Sequence, residues 1–235
     1  MKKSVTTGLT ALALSMTHAS AVFVALDDFE SYTANSAVDG QNGWSASGDT
    51  NFVADPDNAG NQVLSSAETT AVTTTNVSRS IPTISTTGTG TTFFRARASA
   101  TADFVIGSSD IAIPGAGSWG DFEGYMRFNL GNIDVRDEGG FANAGVYNAD
   151  EWYNVWLVLD HTTDTSTLYF NQGTEDATTA AASGGFRTSG NTVHDEIVSI
   201  FIRNNDAASA GFIDDIHVDN TGANLTNPAP TAAIP

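Results

Sequence analysis

The chain has no cysteine, and only nine of its 235 residues are lysine or arginine, against 27 aspartates and glutamates. Without cysteine, a disulfide-stabilised scaffold and thiol catalysis are excluded. The formal net charge of −18 repels phosphate backbones and anionic lipids, so the composition argues against nucleic-acid binding and against adhesion to anionic membranes. Divalent cations, neutral glycans and glycans held through cations remain as classes of partner.

The sequence also lacks any run of about 18 apolar residues, so no membrane-spanning helix and no membrane insertion are predicted. Residues 1–21 have the order of a secretory signal peptide. Lys2 and Lys3 form a basic start, residues 9–16 are apolar, and Ala19-Ser20-Ala21 is an A-x-A cleavage site. We therefore predict an exported protein that begins near Val22.

Helical signals are few after residue 21. Short runs rich in Val, Ile, Phe, Tyr and Thr alternate with Gly, Asn, Asp and Ser, which is typical of an all-β sandwich or jelly roll. The predicted strands lie near 23–29, 62–66, 71–80, 92–99, 102–106, 121–129, 131–137, 151–160, 165–171, 196–204 and 211–219. The Thr-rich stretch 69–92 is compatible with an edge strand or a loop.

The strongest local signal is a hairpin between 151–160 and 165–171. Apolar residues occupy both faces of 151–160, with Tyr153, Val155 and Leu157 on one of them, as expected for a central strand. Residues 226–235 are rich in proline and alanine and are predicted to be a linker.

Three segments together resemble the concanavalin A-like (laminin-G-like, lectin/glucanase) family. They are the opening Asp27–Tyr32 followed by Gly40–Trp44, the central hairpin 152–171, and the closing Phe212–Val218. The resemblance covers residues 22–225 and implies a jelly-roll sandwich of two antiparallel sheets, whose concave face often binds glycans.

A second resemblance concerns the end of the sequence. Ala233-Ile234-Pro235 is similar to the start of a PEP-CTERM (exosortase) sorting tail, which implies a Gram-negative bacterium and a secreted or cell-surface location. The Pro-Glu-Pro motif, apolar helix and arginine cluster of such a tail are not in the sequence. A trimmed tail and a chance likeness both remain open.

The family resemblance also implies a structural calcium ion that joins the first and last strands. By position its ligands correspond to Asp28 or Glu30, the carbonyl of Gly43, and Asp214. Asp28 and Glu30 share a strand face, and clustered carboxylates in so acidic a protein need a cation. Solvated acids at the rim of the sandwich are the alternative.

The carboxylate motif of glucanases, Glu-x-Asp-x-x-Glu, is absent, and the motifs of alginate lyases are incomplete. A looser lyase site on uronate-containing glycans stays open, with Arg95 and Arg97 on one strand face, Tyr125 and Arg127 on another, and a histidine as base or acid. The alternative is that these arginines pair with acids on neighbouring strands, such as Glu123 and Asp134.

Sugar rings stack on aromatic faces, and amide groups bind their hydroxyls. Trp119 lies in a glycine-rich loop, and Asn154 and Trp156 share a strand face, so these three residues are the predicted glycan contacts. Trp44 and Trp152 are assigned to the core. The sequence thus favours an exported carbohydrate-binding or cell-surface module, with a polysaccharide lyase as the alternative and a purely structural surface protein as the third hypothesis.

Overall fold

The computed structural model describes residues 22–48, 50–66, 74–113, 118–188, 193–205 and 209–229. The predicted signal peptide and residues 230–235 lie outside these ranges. The described strands, numbered in chain order, are β1 (Val24–Asp27), β2 (Ser36–Ala37), β3 (Trp44–Ser47), β4 (Asn51–Ala54), β5 (Gln62–Ser65), β6 (Thr75–Ile84), β7 (Thr89–Ala98), β8 (Asp103–Ser109), β9 (Tyr125–Asn129), β10 (Asn132–Asp137), β11 (Gly140–Val146), β12 (Trp152–Asp160), β13 (Thr165–Asn171), β14 (Ala182–Gly185), β15 (Ile197–Asn204) and β16 (Gly211–Asp219).

These strands form two antiparallel sheets. Sheet I has the order β14-β13-β12-β7-β16-β5-β4-β2, with β1 also paired to β16. Sheet II has the order β11-β10-β9-β8-β15-β6-β3. The prediction of an all-β jelly-roll sandwich is confirmed. The predicted central position of β12 is confirmed as well, since it pairs with both β7 and β13.

Apolar side chains of both sheets fill the space between them. On β12, Tyr153, Val155, Leu157 and Leu159 are buried in this core, as their alternation predicts. Each large side chain buried in this way contributes about 2 kcal/mol. Facing them from sheet II are Phe104, Ile106, Met126, Phe128, Ile133, Val135, Ile200 and Ile202. Alternate residues of the same strands therefore lie on the outer face of each sheet.

The first and last strands pair as neighbours, with Val24 opposite Val218. Just after this pairing Asp27 is buried and accepts hydrogen bonds from Trp44 Nε1 at 2.8 Å and from the Tyr32 hydroxyl at 2.7 Å. It also forms an ion pair with Arg79 of β6. Asp27 therefore ties the start of sheet I to sheet II through one carboxylate.

The segment that follows β16 lies across the outer face of sheet I. Trp156 Nε1 donates to the Thr226 carbonyl at 2.8 Å, and the Asn224 amide donates to Thr91 Oγ1 at 2.9 Å. The Asn227 amide donates to Asp176 at 2.7 Å, so the first residues of the predicted linker pack on the sandwich. Within the described ranges, no helix has the length and apolar character needed to cross a membrane.

Candidate functional site

The outer face of sheet II carries a second, smaller cluster of aromatic residues. Phe122, Tyr125 and Phe201 are buried there, and the partly buried Trp119 packs against them. Strand alternation explains the placement, because Met126 and Ile202 point into the core while Tyr125 and Phe201 point outward.

Arginines gather around this cluster. The nine basic residues include two lysines near the N-terminus, Lys2 and Lys3, which leaves seven arginines for the rest of the chain. Four of the seven lie on the outer face of sheet II or at its edge, namely Arg127, Arg136, Arg187 and Arg203. We call these residues, together with Trp119, Tyr125 and Phe141, the arginine–aromatic face.

Trp119 begins a short 3-10 helix, Trp119–Asp121, whose N-terminal cap is Ser118. The guanidinium of Arg203 lies 4.8 Å from the centre of the indole ring, and that of Arg127 lies 5.9 Å from it. The ring is partly exposed. Cation–π contacts of this kind hold an aromatic ring in a fixed orientation.

Tyr125 is the buried centre of the face. Its hydroxyl oxygen accepts hydrogen bonds from Arg136 Nη1 at 3.2 Å and from Arg187 Nη1 at 3.1 Å. Gly107 of β8 pairs with Tyr125, and a Cβ at that glycine would lie 2.2 Å from Tyr125 Cβ. The glycine therefore allows the tyrosine to sit where both guanidiniums reach it.

A histidine and a glutamate lie beside the same region. Glu123 is fully buried and contacts His194 Nδ1 through a carboxylate oxygen. The Glu123 carbonyl accepts a hydrogen bond from the Arg187 amide at 3.0 Å, which places the segment carrying Arg187 next to this pair. A buried carboxylate on one ring nitrogen fixes the orientation of an imidazole.

The electrostatics of the face follow from burial. Desolvation lowers the pKa of Arg136, and the nearby positive charge of Arg187 lowers it further, while Tyr125 acts in the opposite direction. Desolvation also lowers the pKa of Arg203, opposed by the charges of Asp103 and Asp121. An arginine guanidinium is not deprotonated in proteins, so both side chains act as cations.

The structure does not bring together the four residues predicted for a lyase. Tyr125 and Arg127 lie on the outer face of sheet II, whereas Arg95 and Arg97 lie on the outer face of sheet I, across the core. The guanidinium of Arg95 lies 5.1 Å from the centre of the Trp152 ring. All three arginines have acidic partners. Arg95–Asp214 and Arg127–Asp103 join neighbouring strands, as the alternative predicted, although the acids are not the Glu123 and Asp134 it named. Arg97 pairs instead with Asp57, in the loop between β4 and β5.

Of the three predicted glycan contacts, only Trp119 is on the arginine–aromatic face. Trp156 is fully buried and bonded to the C-terminal segment. Asn154 is buried beside it on β12, and its amide donates to Asn171 Oδ1 at 3.0 Å. Trp44 and Trp152 are buried as predicted.

Two of the residues predicted for calcium lie on or beside the paired first and last strands, Asp28 directly after β1 and Asp214 on β16. Asp28 and Glu30 are exposed, and Glu30 Oε1 accepts from the Gln62 amide at 3.0 Å. Gly43 is in an exposed turn with φ of +82°. Asp214 is buried on β16 and accepts from Asn61 Nδ2 at 2.9 Å.

Asp214 and the adjacent Asp215 both have raised pKa values. Burial raises the pKa of Asp214 to about 7, and the adjacent charge of Asp215 contributes to the rise. Burial also raises the pKa of Asp215, and the charge of Asp28 adds to this. In the part of the chain that the structure describes, no three His, Cys, Asp or Glu residues are grouped so as to hold a metal ion.

Sequence reasoning missed two members of the face. Arg187 lies just beyond β14, outside any strand, where no periodicity marks it. Phe141 lies on β11, which was not predicted because Gly, Ala and Asn dominate it. Its ring centre is 5.3 Å from the Arg136 guanidinium and 5.1 Å from that of Arg127.

Solved structures with a similar fold include several carbohydrate-related proteins. A sialidase aligns with a TM-score of 0.59 and 15% identity over 85% of this chain, which spans only 18% of that sialidase. A carbohydrate esterase from a Shiga toxin-encoding bacteriophage aligns with a TM-score of 0.52 and 12% identity. The alignment covers 77% of this chain and 91% of the esterase.

The basic winged bean lectin, solved with Tn-antigen, aligns with a TM-score of 0.51 and 10% identity. The alignment covers 79% of this chain and 95% of the lectin. At these identities the likeness establishes the fold alone, a jelly-roll sandwich of two antiparallel sheets. No family model matches the sequence, and no curated protein matches it.

Proposed function

We propose that the protein is a carbohydrate-binding module and that the glycan lies on the arginine–aromatic face of sheet II. The proposal rests on the exposure and the fixed orientation of the Trp119 ring. The ring is partly exposed and oriented by Arg127 and Arg203, and its indole N–H has no acceptor among the described residues. A ring held in this way can stack on a sugar, and the free N–H can donate to a hydroxyl.

The outer face of sheet I is a poorer candidate. The C-terminal segment covers Trp156 and occupies its indole N–H. The arginines of that face, Arg95 and Arg97, are engaged by acidic side chains. A glycan would have to displace the segment before it could reach an aromatic ring there.

Affinity electrophoresis in gels that contain neutral or anionic polysaccharides tests the proposal. Trp119→Ala should lose the retention that the wild-type protein shows, because the stacking surface is removed. Tyr169→Ala is the matched control, since Tyr169 is a partly exposed aromatic residue on the opposite sheet. Equal retention of the wild type and Trp119→Ala, with loss in Tyr169→Ala, would place the glycan on sheet I instead.

A second candidate function is a polysaccharide lyase at the same face. It is favoured by one observation, the convergence of Arg136 and Arg187 on the hydroxyl of Tyr125 beside the Glu123–His194 pair. In such a reaction the guanidiniums would neutralise a uronate carboxylate, and His194 would take the C5 proton. Tyr125 would protonate the leaving oxygen as the C4–O bond breaks, which gives a C4=C5 double bond.

The unsaturated product absorbs ultraviolet light, so the lyase hypothesis has a direct assay. The protein is incubated with alginate, glucuronan, ulvan and pectate in the presence of calcium, and the absorbance is followed. A rise that is lost in Tyr125→Phe and kept in Tyr169→Phe would establish the lyase. A flat trace together with Trp119-dependent retention would leave the binding module.

We also propose a structural calcium ion near Asp28 and Asp214. The raised pKa values of Asp214 and Asp215 support it, because a cation beside these carboxylates would relieve the cost of their charge. Glu30 and the carbonyl of Gly43 are the remaining ligands that the family resemblance implies, and the ion would have to draw these groups together, because the described structure does not group the three carboxylates.

Thermal melts with and without chelator test for the ion, because a metal that binds only the native state raises the melting temperature. The Asp214→Ala variant should lose the response to chelator, and the exposed Asp195→Ala should keep it. Identical melts of the wild type in both conditions would remove the calcium proposal.

Export to the cell surface or medium is the proposed location, on the evidence of the pattern in residues 1–21. N-terminal sequencing of the native protein should then begin at Val22. Recovery of the intact chain from the cytoplasm, beginning at Met1, would contradict it.

A further inference from the structure

Arg136 is buried without a carboxylate partner in the part of the chain that the structure describes. It is 3% exposed, and no acidic oxygen lies within 4 Å of its guanidinium in the described part of the chain. Its Nε is buried and makes no hydrogen bond, and its Nη1 donates to the neutral Tyr125 hydroxyl. This contrasts with Arg79, Arg95 and Arg97, each of which contacts an aspartate.

A lone buried guanidinium is unfavourable, because burial removes hydration that only a counter-charge or hydrogen bonds can replace. Acidic residues outnumber arginines 27 to 7 in this chain, so a carboxylate partner was readily available to the sequence. Instead, a second guanidinium, that of Arg187, donates to the same phenol oxygen at 3.1 Å. Two like charges converge at one point of a strongly acidic protein.

The surroundings of Arg136 and Arg187 also allow a ligand to approach. The ring of Phe141 packs 5.3 Å from the Arg136 guanidinium, and this phenylalanine is 38% exposed. Arg187 is partly exposed. The pair therefore sits at the border of the arginine–aromatic face, where part of a bound chain could contact it.

We infer that Arg136, Arg187 and Tyr125 form an anion subsite that takes an acidic group, carboxylate or sulfate ester, of the bound glycan. The inference rests on the proposed function and narrows its ligand from glycans in general to acidic glycans. Planar guanidiniums bind carboxylates and sulfates through paired N–H donors, and the buried Tyr125 hydroxyl holds the two guanidiniums side by side. An anion there supplies the counter-charge that Arg136 lacks among the described residues.

Two measurements on the full chain test the subsite. The first compares retention in gels of alginate and pectate, which carry carboxylates, of carrageenan, which carries sulfate, and of a neutral β-glucan. The second follows the melting temperature with millimolar sodium sulfate or glucuronate against sodium chloride at equal ionic strength. Both are applied to the wild type, Arg136→Gln, Arg187→Gln and the control Arg97→Gln, whose arginine is ion-paired on the opposite sheet.

We expect at least tenfold stronger retention by one class of acidic glycan than by the β-glucan. Arg136→Gln and Arg187→Gln should lose this preference, and Arg97→Gln should keep it. Retention by carrageenan alone would identify sulfate esters, and retention by alginate or pectate alone would identify uronates. The melting temperature of the wild type should rise with the matching small anion, and that of Arg136→Gln should not.

The outcomes separate this inference from the proposed function. Retention on the β-glucan that depends on Trp119 and is unchanged in Arg136→Gln would overturn the subsite and leave the module. Stabilisation by sulfate or glucuronate that requires Arg136, without retention on any glycan, would support the subsite and overturn the module. If neither the gels nor the melts distinguish wild type from Arg136→Gln, the subsite is refuted.

Discussion

Replacing Asp27 with asparagine tests how the two sheets are held together at the start of the chain. The Asp27 carboxylate is buried and accepts from Trp44 and Tyr32, and it is the only acidic partner of Arg79 among the described residues. The side chain of Arg79 is 14% exposed, so the variant leaves a largely buried guanidinium without a counter-charge.

Removing one member of a buried ion pair costs about 3–5 kcal/mol, and each kcal/mol lowers the melting temperature of a domain of this size by about 2–4 °C. We therefore expect Asp27→Asn to melt roughly 6–20 °C below the wild type in thermal denaturation followed by circular dichroism. The control is Asp28→Asn, measured in chelator, where the exposed neighbour should change stability by less than about 0.5 kcal/mol.

The double variant Asp27→Asn/Arg79→Met should recover part of the loss, because it also removes the uncompensated charge. If Asp27→Asn and Asp28→Asn melt together at the wild-type temperature, the carboxylate does not join the sheets as described. If the losses of stability in the two single variants simply add in the double variant, Asp27 and Arg79 are not coupled as described.

Two further perturbations address the site and the pH response. Because the pKa of Asp214 is raised to about 7, the folded protein binds more protons than the unfolded chain between roughly pH 4 and 7, so in chelator its stability should fall as pH rises through that range. Asp214→Asn should flatten this fall in denaturant titrations at pH 5 and pH 8, and an unchanged slope would show that Asp214 is not its source. Gly107→Ala places a Cβ against Tyr125, so we expect a loss of about 1–3 kcal/mol and weaker glycan retention, whereas Gly139→Ala, which has open space around it, should bind as the wild type does.

The parts of the fold that the sequence predicted are those with strong period-two alternation. β12 and β13 were predicted within one residue of their observed bounds, and the core face of β12 was assigned correctly. The short strands β2, β3 and β4, of two to four residues, gave no such signal. β6 lies several residues later than predicted, at Thr75–Ile84, because a Thr-rich stretch has strand propensity along its whole length.

The candidate site was less predictable, because it depends on which strands come together. Tyr125, Arg136 and Arg203 were each recognisable as strand residues, but only the order of sheet II brings them to one face. The burial of Trp156 depends on a segment about 70 residues later in the sequence, which no local pattern predicts. The partial exposure of Trp119 was predicted, because a glycine-rich loop has little apolar material to cover an indole.

The four tryptophans offer the most direct test of where a glycan binds. The indole N–H groups of Trp44, Trp152 and Trp156 donate to Asp27, Asp55 and Thr226, whereas that of Trp119 has no acceptor in the described ranges. In a ¹H–¹⁵N spectrum recorded during titration with an oligosaccharide of a retained polymer, the Trp119 indole signal should shift while the other three stay in place. A shift of the Trp156 signal with Trp119 unchanged would put the ligand on sheet I and contradict the account.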